Sequence, residues 1–185
     1  CLFSGGNDIL KDSWTTYLKA RLNCSVPGEY PFYFDEIQST SNFFPDPLDD
    51  QIFYAVFTTS PNSILGSAVC RFSLRNLHES FNGNFKNQES VNSNWLPMSA
   101  GQVPSPRPGQ CSNDSLSIPE TSLHFIKNNC LMDQPVISRP MAPVLVKFGD
   151  GELLTRMAAQ GALSDVNNNV YDVLYMGTNR GRVIK

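Results

Sequence analysis

The sequence predicts an all-β fold with a helical insertion, and two hairpin patterns carry this prediction. The β-branched and aromatic segments 52–59 and 66–72 are joined by a short loop, which is typical of an antiparallel strand pair. The same pattern recurs at 170–178 and the residues that follow it. Gly66 and Gly181 fall at matching points, so the two hairpins look like one unit used twice. A β-propeller repeats a blade of roughly 40–50 residues, so we interpret the two hairpins as parts of such repeats with a long insertion between them.

Two more strands are predicted ahead of the first hairpin. Segment 14–22 fits either a helix or a strand, and its tryptophan, threonines and tyrosine favour a strand. Segment 31–38, in which three aromatic residues follow Pro31, is predicted to be a strand as well. A proline-rich loop at 45–50 then leads into the hairpin.

The residues between the hairpins form the predicted insertion at 73–142, with propeller strands at 1–72 and 143–185. Ser73 is expected to cap a short helix. Its apolar face comprises Leu74, Leu77 and Phe81.

A second helix is predicted to start at Ser117, because Ser117 and Glu120 have capping-box spacing, and to run to about Cys130. Its periodicity places Leu123, Ile126 and Cys130 inward and His124, Lys127 and Asn128 outward. Strands at 144–148 and 153–157, joined by a glycine turn, then return the chain to the propeller.

Composition excludes several classes of function. The chain has 185 residues, 41% of them hydrophobic, so it can bury a core. Its net charge of −3 argues against a nucleic-acid partner. No run approaches the ~18 apolar residues of a membrane span. The chain opens on a cysteine and stops in mid-strand, so we expect it to be a piece of a longer protein.

Five cysteines occur without any C-x-x-C pair, which argues against a zinc site. They leave two readings open: free thiols in a cytosolic protein, or an oxidised extracellular domain with four paired cysteines and one spare. The sequons at Asn23 and Asn113 favour the second reading and are the predicted glycosylation sites. A disulfide-bonded Cys24 would crowd the glycan at Asn23.

No catalytic or metal-binding pattern stands out, so we predict no enzyme, no cofactor and no metal. His78 and His124 lack partners at metal-binding spacing. Asp35 and Glu36 are adjacent on a strand, point to opposite faces and cannot form a glycosidase pair. The loop acids are expected to be solvated turn formers: Asp46, Asp49, Asp50 and the loop that begins at Asp165.

Two surface features remain unexplained by the core. Ile64 and Leu65 form an apolar pair at the tip of a hairpin loop, where polar residues are expected unless something covers them. Lys127 lies on the outward face of the second helix.

Several segments strongly resemble the sema domain of the semaphorins, and the resemblance covers essentially the whole chain. The segments are 14–28, 56–59, 66–70, 103–111 and 171–178. Two further segments, 92–97 and 123–127, look most like the invertebrate transmembrane class, with the secreted invertebrate class close behind.

The resemblance implies a partial seven-bladed β-propeller, roughly blades four to six, in which the insertion is the family's extrusion within blade five. It also implies that Cys1 pairs with Cys111 and Cys24 with Cys70. Cys130, where relatives usually lack a cysteine, is expected to be a free buried thiol.

As to function, the resemblance implies an extracellular guidance ligand, secreted or on the outer face of the plasma membrane, that forms homodimers and binds plexin receptors. By family pattern Ile64 lies at the homodimer contact and Lys127 at the plexin contact. Neither a nucleic acid nor a small-molecule substrate is implied. The sema domain of a plexin-like receptor and a secreted propeller glycosidase are the alternatives.

Overall fold

The computed structural model describes residues 8–10, 13–48, 50–149 and 151–185. Strands dominate, and the helices lie between the seventh and tenth strands. In chain order the strands are β1 (Leu22–Asn23), β2 (Ser25–Val26), β3 (Phe32–Tyr33), β4 (Glu36–Thr40), β5 (Phe44–Asp46), β6 (Asp50–Thr58), β7 (Gly66–Ser73), β8 (Lys86–Asn87), β9 (Leu96–Pro97), β10 (Val136–Ile137), β11 (Leu145–Phe148), β12 (Leu154–Ser164), β13 (Val170–Thr178) and β14 (Val183–Ile184). The helices are α1 (Leu74–Asn82) and α2 (Glu120–Asn128), with short 3-10 turns at Asp8–Leu10, Ala100–Gln102 and Ser115–Ser117.

The first large sheet has the order β11-β7-β6-β4, and β5 also pairs with β6. All of its pairings are antiparallel, and β6 meets β7 in a continuous register from Ile52 opposite Ser73 to Thr58 opposite Ser67. Nearly every residue of β7 is buried, and so are most of those in β6. Strands covered on both faces need continuous apolar runs, which explains why these two segments carried so clear a signal in the sequence.

The second sheet consists of β12, β13 and β14, again antiparallel. Its strand β12 alternates between half-buried and exposed residues, the pattern of a strand with one face on the core. Leu154 and Met176 from this sheet join Ile52, Val56 and Val69 of the first sheet in one apolar cluster. Burial of this cluster therefore holds the two sheets together.

The chain divides into two compact units. One comprises Leu22–His78 and Val136–Lys185 and contains both large sheets. The other comprises Glu79–Pro135 and the described residues up to Arg21. Its core has two apolar clusters, built around Phe85, Phe125 and Met132 and around Leu10, Leu123 and Ile126. The predicted 73–142 extrusion overlaps this unit, and its assignment as an extrusion stays a prediction.

Both predicted hairpins form, but their glycines are not equivalent. Gly181 has φ +73° in the turn between β13 and β14, a conformation that favours glycine. Gly66 instead begins β7, where a Cβ would lie 2.5 Å from the ring of Phe148. Gly66 therefore leaves room for Phe148 of the neighbouring strand, whereas Gly181 permits a turn.

The predicted strand at 14–22 is wrong. Thr15 and Thr16 are both buried, while Trp14 and Tyr17 are exposed with ring centroids 5.9 Å apart. Neighbouring residues of a strand point to opposite faces, so this pattern requires the turn that the chain makes here. Lys19 contributes an isolated bridge to Leu131.

The predicted strand at 31–38 is split in two. Its first part, β3, pairs with β2, whereas β4 pairs with β6. Phe34 lies between them, is 1% exposed and donates its backbone N–H to the carbonyl of Cys24 at 3.0 Å. The chain therefore leaves one sheet and enters another at a buried residue, which an uninterrupted aromatic run does not reveal.

Helix α1 begins where predicted, because the Ser73 hydroxyl accepts the N–H of Asn76 at 3.2 Å. The start predicted for α2 is wrong. Ser117 belongs to a 3-10 turn and donates its hydroxyl to the carbonyl of Asp114, so it caps nothing. The helix starts after Pro119, a residue that can occupy a helix start because it has no N–H to satisfy there.

The strands predicted at 144–148 and 153–157 also form, but in different sheets. Strand β11 pairs with β7, and β12 pairs with β13. The glycine turn therefore connects two sheets rather than two strands of one hairpin.

Candidate functional site

The loop between β6 and β7 displays an apolar tip on a fixed base. Ile64 is 70% exposed and Leu65 is 40% exposed. At the base, the N–H of Gly66 donates to the Thr59 hydroxyl at 3.0 Å, and the N–H of Thr59 donates to the Gly66 carbonyl at 3.1 Å. These bonds keep the loop short and closed, so the apolar pair is presented in a defined place.

A second group of hydrogen bonds lies within the loop itself and links it to Glu36. The N–H and hydroxyl of Ser63 both donate to the carbonyl of Ser60, at 3.0 and 2.9 Å. The Ser60 hydroxyl in turn donates to the Glu36 carboxylate at 3.3 Å. The polar groups of the loop are engaged with one another, whereas the Ile64 side chain stays 70% exposed to solvent.

The loop is backed by aromatic rings that sequence reasoning did not single out. The ring centroids of Phe32, Phe34 and Phe148 lie 5.3 to 5.7 Å from one another, and Phe148 packs over the backbone of Gly66. The one sequence signal for this support is a phenylalanine directly before a glycine turn, and that signal is too common to be decisive.

Helix α2 separates a buried side from an exposed one, as its periodicity predicts. Leu123, Phe125 and Ile126 are buried, whereas His124 and Lys127 are exposed. Lys127 lies in the last turn, where a positive charge is favourable because the helix carboxyl end has a partial negative charge. The structure therefore places the Lys127 ammonium group at an accessible point at the end of α2.

Cys24 and Cys70 form a disulfide with a Cα–Cα distance of 5.7 Å, and both residues are buried. This bridge joins the start of β2 to the middle of β7. Cys1 lies outside the described residues, so its pairing with Cys111 stays a prediction. Cys130 is a free thiol and is half-buried rather than fully buried.

The two predicted glycosylation sites differ in accessibility. Asn113 is exposed in the loop before α2. Asn23 lies in β1, is half-buried, and its side-chain oxygen is buried without a hydrogen-bond partner. Of the two, Asn113 offers a glycan the easier route to solvent, and both assignments stay predictions.

Acids that the sequence predicts to be non-catalytic form ion pairs or hydrogen bonds in the structure. Asp46 forms an ion pair with Arg71 at 2.8 Å. Asp165 accepts hydrogen bonds from Asn167 and Asn169, which lower its pKa. Asp49 lies outside the described residues, and the side chain of Asp50 is not described. Across the described ranges, histidines, cysteines and acids form no group that could hold a metal ion.

Glu152 is a buried acid that sequence reasoning missed. Its carboxylate accepts hydrogen bonds from the guanidinium of Arg182 and the hydroxyl of Thr178, and Lys147 lies 3.4 Å away. The bonds from Arg182 and Thr178 lower its pKa to about 2. All four residues belong to the two large sheets or to the turns that connect their strands. This ion-paired cluster therefore has a structural role.

Among the helices that the structure describes, none is long and apolar enough to cross a bilayer.

A meander of antiparallel strands, followed by a second antiparallel sheet packed on it, is the arrangement of neighbouring blades in a β-propeller. The Sema domain model matches residues 37–185. The chain belongs to the Sema domain family. The predicted sema resemblance and the predicted β-propeller class are thereby confirmed.

Individual relatives are semaphorins. The chain is 48% identical over 184 residues to Semaphorin-1A of Schistocerca americana and 46% identical over 181 residues to Semaphorin-2A of Drosophila melanogaster. In each case 98% of this chain is covered, and the chain spans about a quarter of the relative (25% and 24%).

Solved structures of the same group match over nearly all of the chain. A Drosophila Semaphorin 1a structure, extracellular domains 1-2, has 43% identity and a TM-score of 0.88, with 98% of this chain and 36% of that one covered. A structure of Drosophila Plexin A in complex with Semaphorin 1b has 45% identity and a TM-score of 0.88, with 97% and 35% covered.

Proposed function

We propose that the chain is the sema-domain part of an extracellular guidance ligand that dimerises and binds a plexin receptor. The observation that carries this proposal is the match to the solved structure of Drosophila Plexin A in complex with Semaphorin 1b, at 45% identity over 97% of the chain. The identity and the TM-score of 0.88 support the proposal, because they indicate a backbone close to that of the matched chain. The relatives named above are semaphorins, which favours the ligand over the receptor alternative.

The proposed role is binding rather than catalysis. Of the described acids that could suggest a glycosidase, Asp46 forms an ion pair with Arg71 and Glu36 accepts a hydrogen bond from the Ser60 hydroxyl. The apolar Ile64 and the cationic Lys127 are instead exposed, as binding residues must be. Localisation outside the cell, secreted or membrane-anchored, belongs to the same proposal, and the buried Cys24–Cys70 disulfide supports it because such bridges persist in oxidising compartments.

Ile64 is proposed as a homodimer contact. A closed, hydrogen-bonded loop holds it 70% exposed, so little conformational entropy is lost when a second copy covers it. A two-fold symmetric dimer would place the same loop on both copies at the contact.

Lys127 is proposed as a plexin contact. It projects from a helix whose other face is anchored in an apolar cluster through Leu123 and Ile126, so its position is fixed while its charge stays accessible. A cationic side chain at a rim contact favours an acidic patch on the receptor.

The plexin contact is tested by charge reversal in the complete extracellular region. Lys127→Asp should weaken binding to an immobilised plexin ectodomain by roughly tenfold, about 1.4 kcal/mol, because an attraction becomes a repulsion. Arg75→Asp reverses an exposed cation on the other helix, α1, and serves as the matched control. Equal affinities for both variants and the parent would remove Lys127 from the contact.

A further inference from the structure

The end of α2 carries a third possible glycosylation sequon. In this sequon a cysteine takes the place of serine or threonine. Asn128, Asn129 and Cys130 have the Asn-x-Ser/Thr spacing. The third residue of a sequon contributes a hydrogen-bond donor during glycosyl transfer. A free thiol supplies such a donor less well than a hydroxyl does, so Asn-x-Cys is used with lower efficiency.

The structure supplies both conditions that such a site requires. Asn128 is exposed at the end of the helix, and Cys130 is a free thiol. The neighbouring Asn129 is not a competitor, because Leu131 stands two residues after it and the segment 129–131 is therefore no sequon.

The helix end can also keep its shape once modified. The Asn128 Nδ2 donates one hydrogen bond, to the His124 carbonyl at 3.2 Å. A glycosylated amide nitrogen retains one N–H, so this bond survives if the sugar takes the solvent-facing hydrogen.

We propose that Asn128 carries an N-linked glycan in a fraction of the molecules and that this glycan masks Lys127. In the transfer, the Asn128 Nδ2 loses a proton and forms a bond to the anomeric carbon of a lipid-linked oligosaccharide diphosphate. The bond from that carbon to the diphosphate oxygen breaks, and the lipid diphosphate leaves. The glycan rests on the extracellular location proposed above, and its masking role rests on the Lys127 contact proposed there.

The masking follows from adjacency. Asn128 directly follows Lys127, and both side chains are exposed on α2. A branched oligosaccharide is far larger than a lysine side chain, so a glycan here sweeps the space that a receptor must occupy to reach Lys127. Inefficient transfer would thus yield two populations of ligand, one competent for this contact and one blocked.

Site occupancy is measured on the complete extracellular region secreted from animal cells. Removing the glycans enzymatically in water enriched in the heavy oxygen isotope converts each occupied asparagine into labelled aspartate, which peptide mass spectrometry locates. We expect partial label at position 128. Cys130→Ser should raise it severalfold and Cys130→Ala should abolish it. Absence of label at position 128 in the parent protein would overturn the inference.

Masking is measured by comparing two variants in plexin binding. Cys130→Ser should bind roughly tenfold more weakly than Cys130→Ser combined with Asn128→Gln, which restores an unglycosylated helix end. Equal affinities at high occupancy would refute the masking. Because occupancy is read by mass spectrometry alone, loss of the proposed plexin role would not be mistaken for loss of the glycan.

Discussion

The Glu152 carboxylate is inaccessible to solvent, yet it is held charged by the guanidinium of Arg182, the hydroxyl of Thr178 and the nearby ammonium of Lys147. A buried carboxylate is tolerated only when its oxygens are paired in this way. At the residue scale, the fold therefore depends on a charge whose hydrogen-bond donors, Thr178 and Arg182, lie 26 and 30 residues away in sequence.

This carboxylate makes stability depend on pH. Its pKa in the folded protein is about 2, below the ordinary value near 4.5. The stabilisation is complete above the ordinary value and is lost as pH falls from there through the folded pKa. Urea unfolding of the extracellular region should show Glu152→Gln less stable at neutral pH, with the difference shrinking between about pH 4.5 and pH 2. A difference that does not vary with pH would contradict this assignment.

Tyr54 offers a second residue-scale test. Its hydroxyl donates to the Asp172 carboxylate at 2.8 Å, and burial together with that bond raises the pKa of the phenol. The other Asp172 oxygen accepts the N–H of Ala162, which has φ +56° at an irregularity in β12.

Tyr54→Phe should lower the free energy of unfolding by about 1 kcal/mol, because a hydrogen bond between the two sheets is lost. Tyr175→Phe is the matched control, since this tyrosine is 39% exposed, and it should leave stability nearly unchanged. If both variants unfold at the same urea concentration, the Tyr54–Asp172 bond contributes nothing measurable.

Residue-level roles were predictable from sequence where the partner is near. Ser73 and its helix follow from a local pattern, and Ile64 stood out because an apolar tip of a hairpin loop is unusual. Glu152 with Arg182 and Tyr54 with Asp172 could not be found, since no pattern links residues on separate strands.

At the scale of elements, strand length decided what the sequence could reveal. Strands β6, β7 and β13 are eight or nine residues long and have clear signals. The pairs β1–β10 and β2–β3 contribute two residues per strand, too few for periodicity to register. The strand predicted at 14–22 was wrong because aromatic and β-branched residues also occur in a turn, here one whose threonines are buried.

The disulfide compensates for the shortness of these strands. Cys24 and Cys70 are 46 residues apart and join the β2 region to β7. Replacing both by alanine should lower the free energy of unfolding by roughly 3–4 kcal/mol in the chain-entropy model. Cys130→Ala removes a sulfur without opening a bridge and should cost much less. Comparable losses in the two variants, measured by urea unfolding, would argue against the bridge as the stabilising element.

At the scale of the whole molecule, the propeller could be recognised from family motifs but not from periodicity alone. Two hairpins with a long insertion fit several all-β folds, and the order β11-β7-β6-β4 depends on contacts between distant segments. The roles proposed for Ile64 and Lys127 rest on the family resemblance and stay predictions, because exposure by itself does not specify a partner.

The proposed mechanism is bivalent. A dimeric ligand brings two receptors together, and the second contact gains from the effective concentration that the first one creates. Loss of the dimer should therefore weaken binding to a dense plexin surface much more than it weakens each individual contact.

The mass of the complete extracellular region, measured by light scattering, tests this account most directly. Ile64→Glu should convert a dimer into a folded monomer, because the charge would be buried without a partner at the two-fold contact. Val166→Glu places the same charge on a residue that is 98% exposed in another loop and should leave a dimer. A dimer mass that is unchanged by Ile64→Glu would contradict the proposed dimer contact.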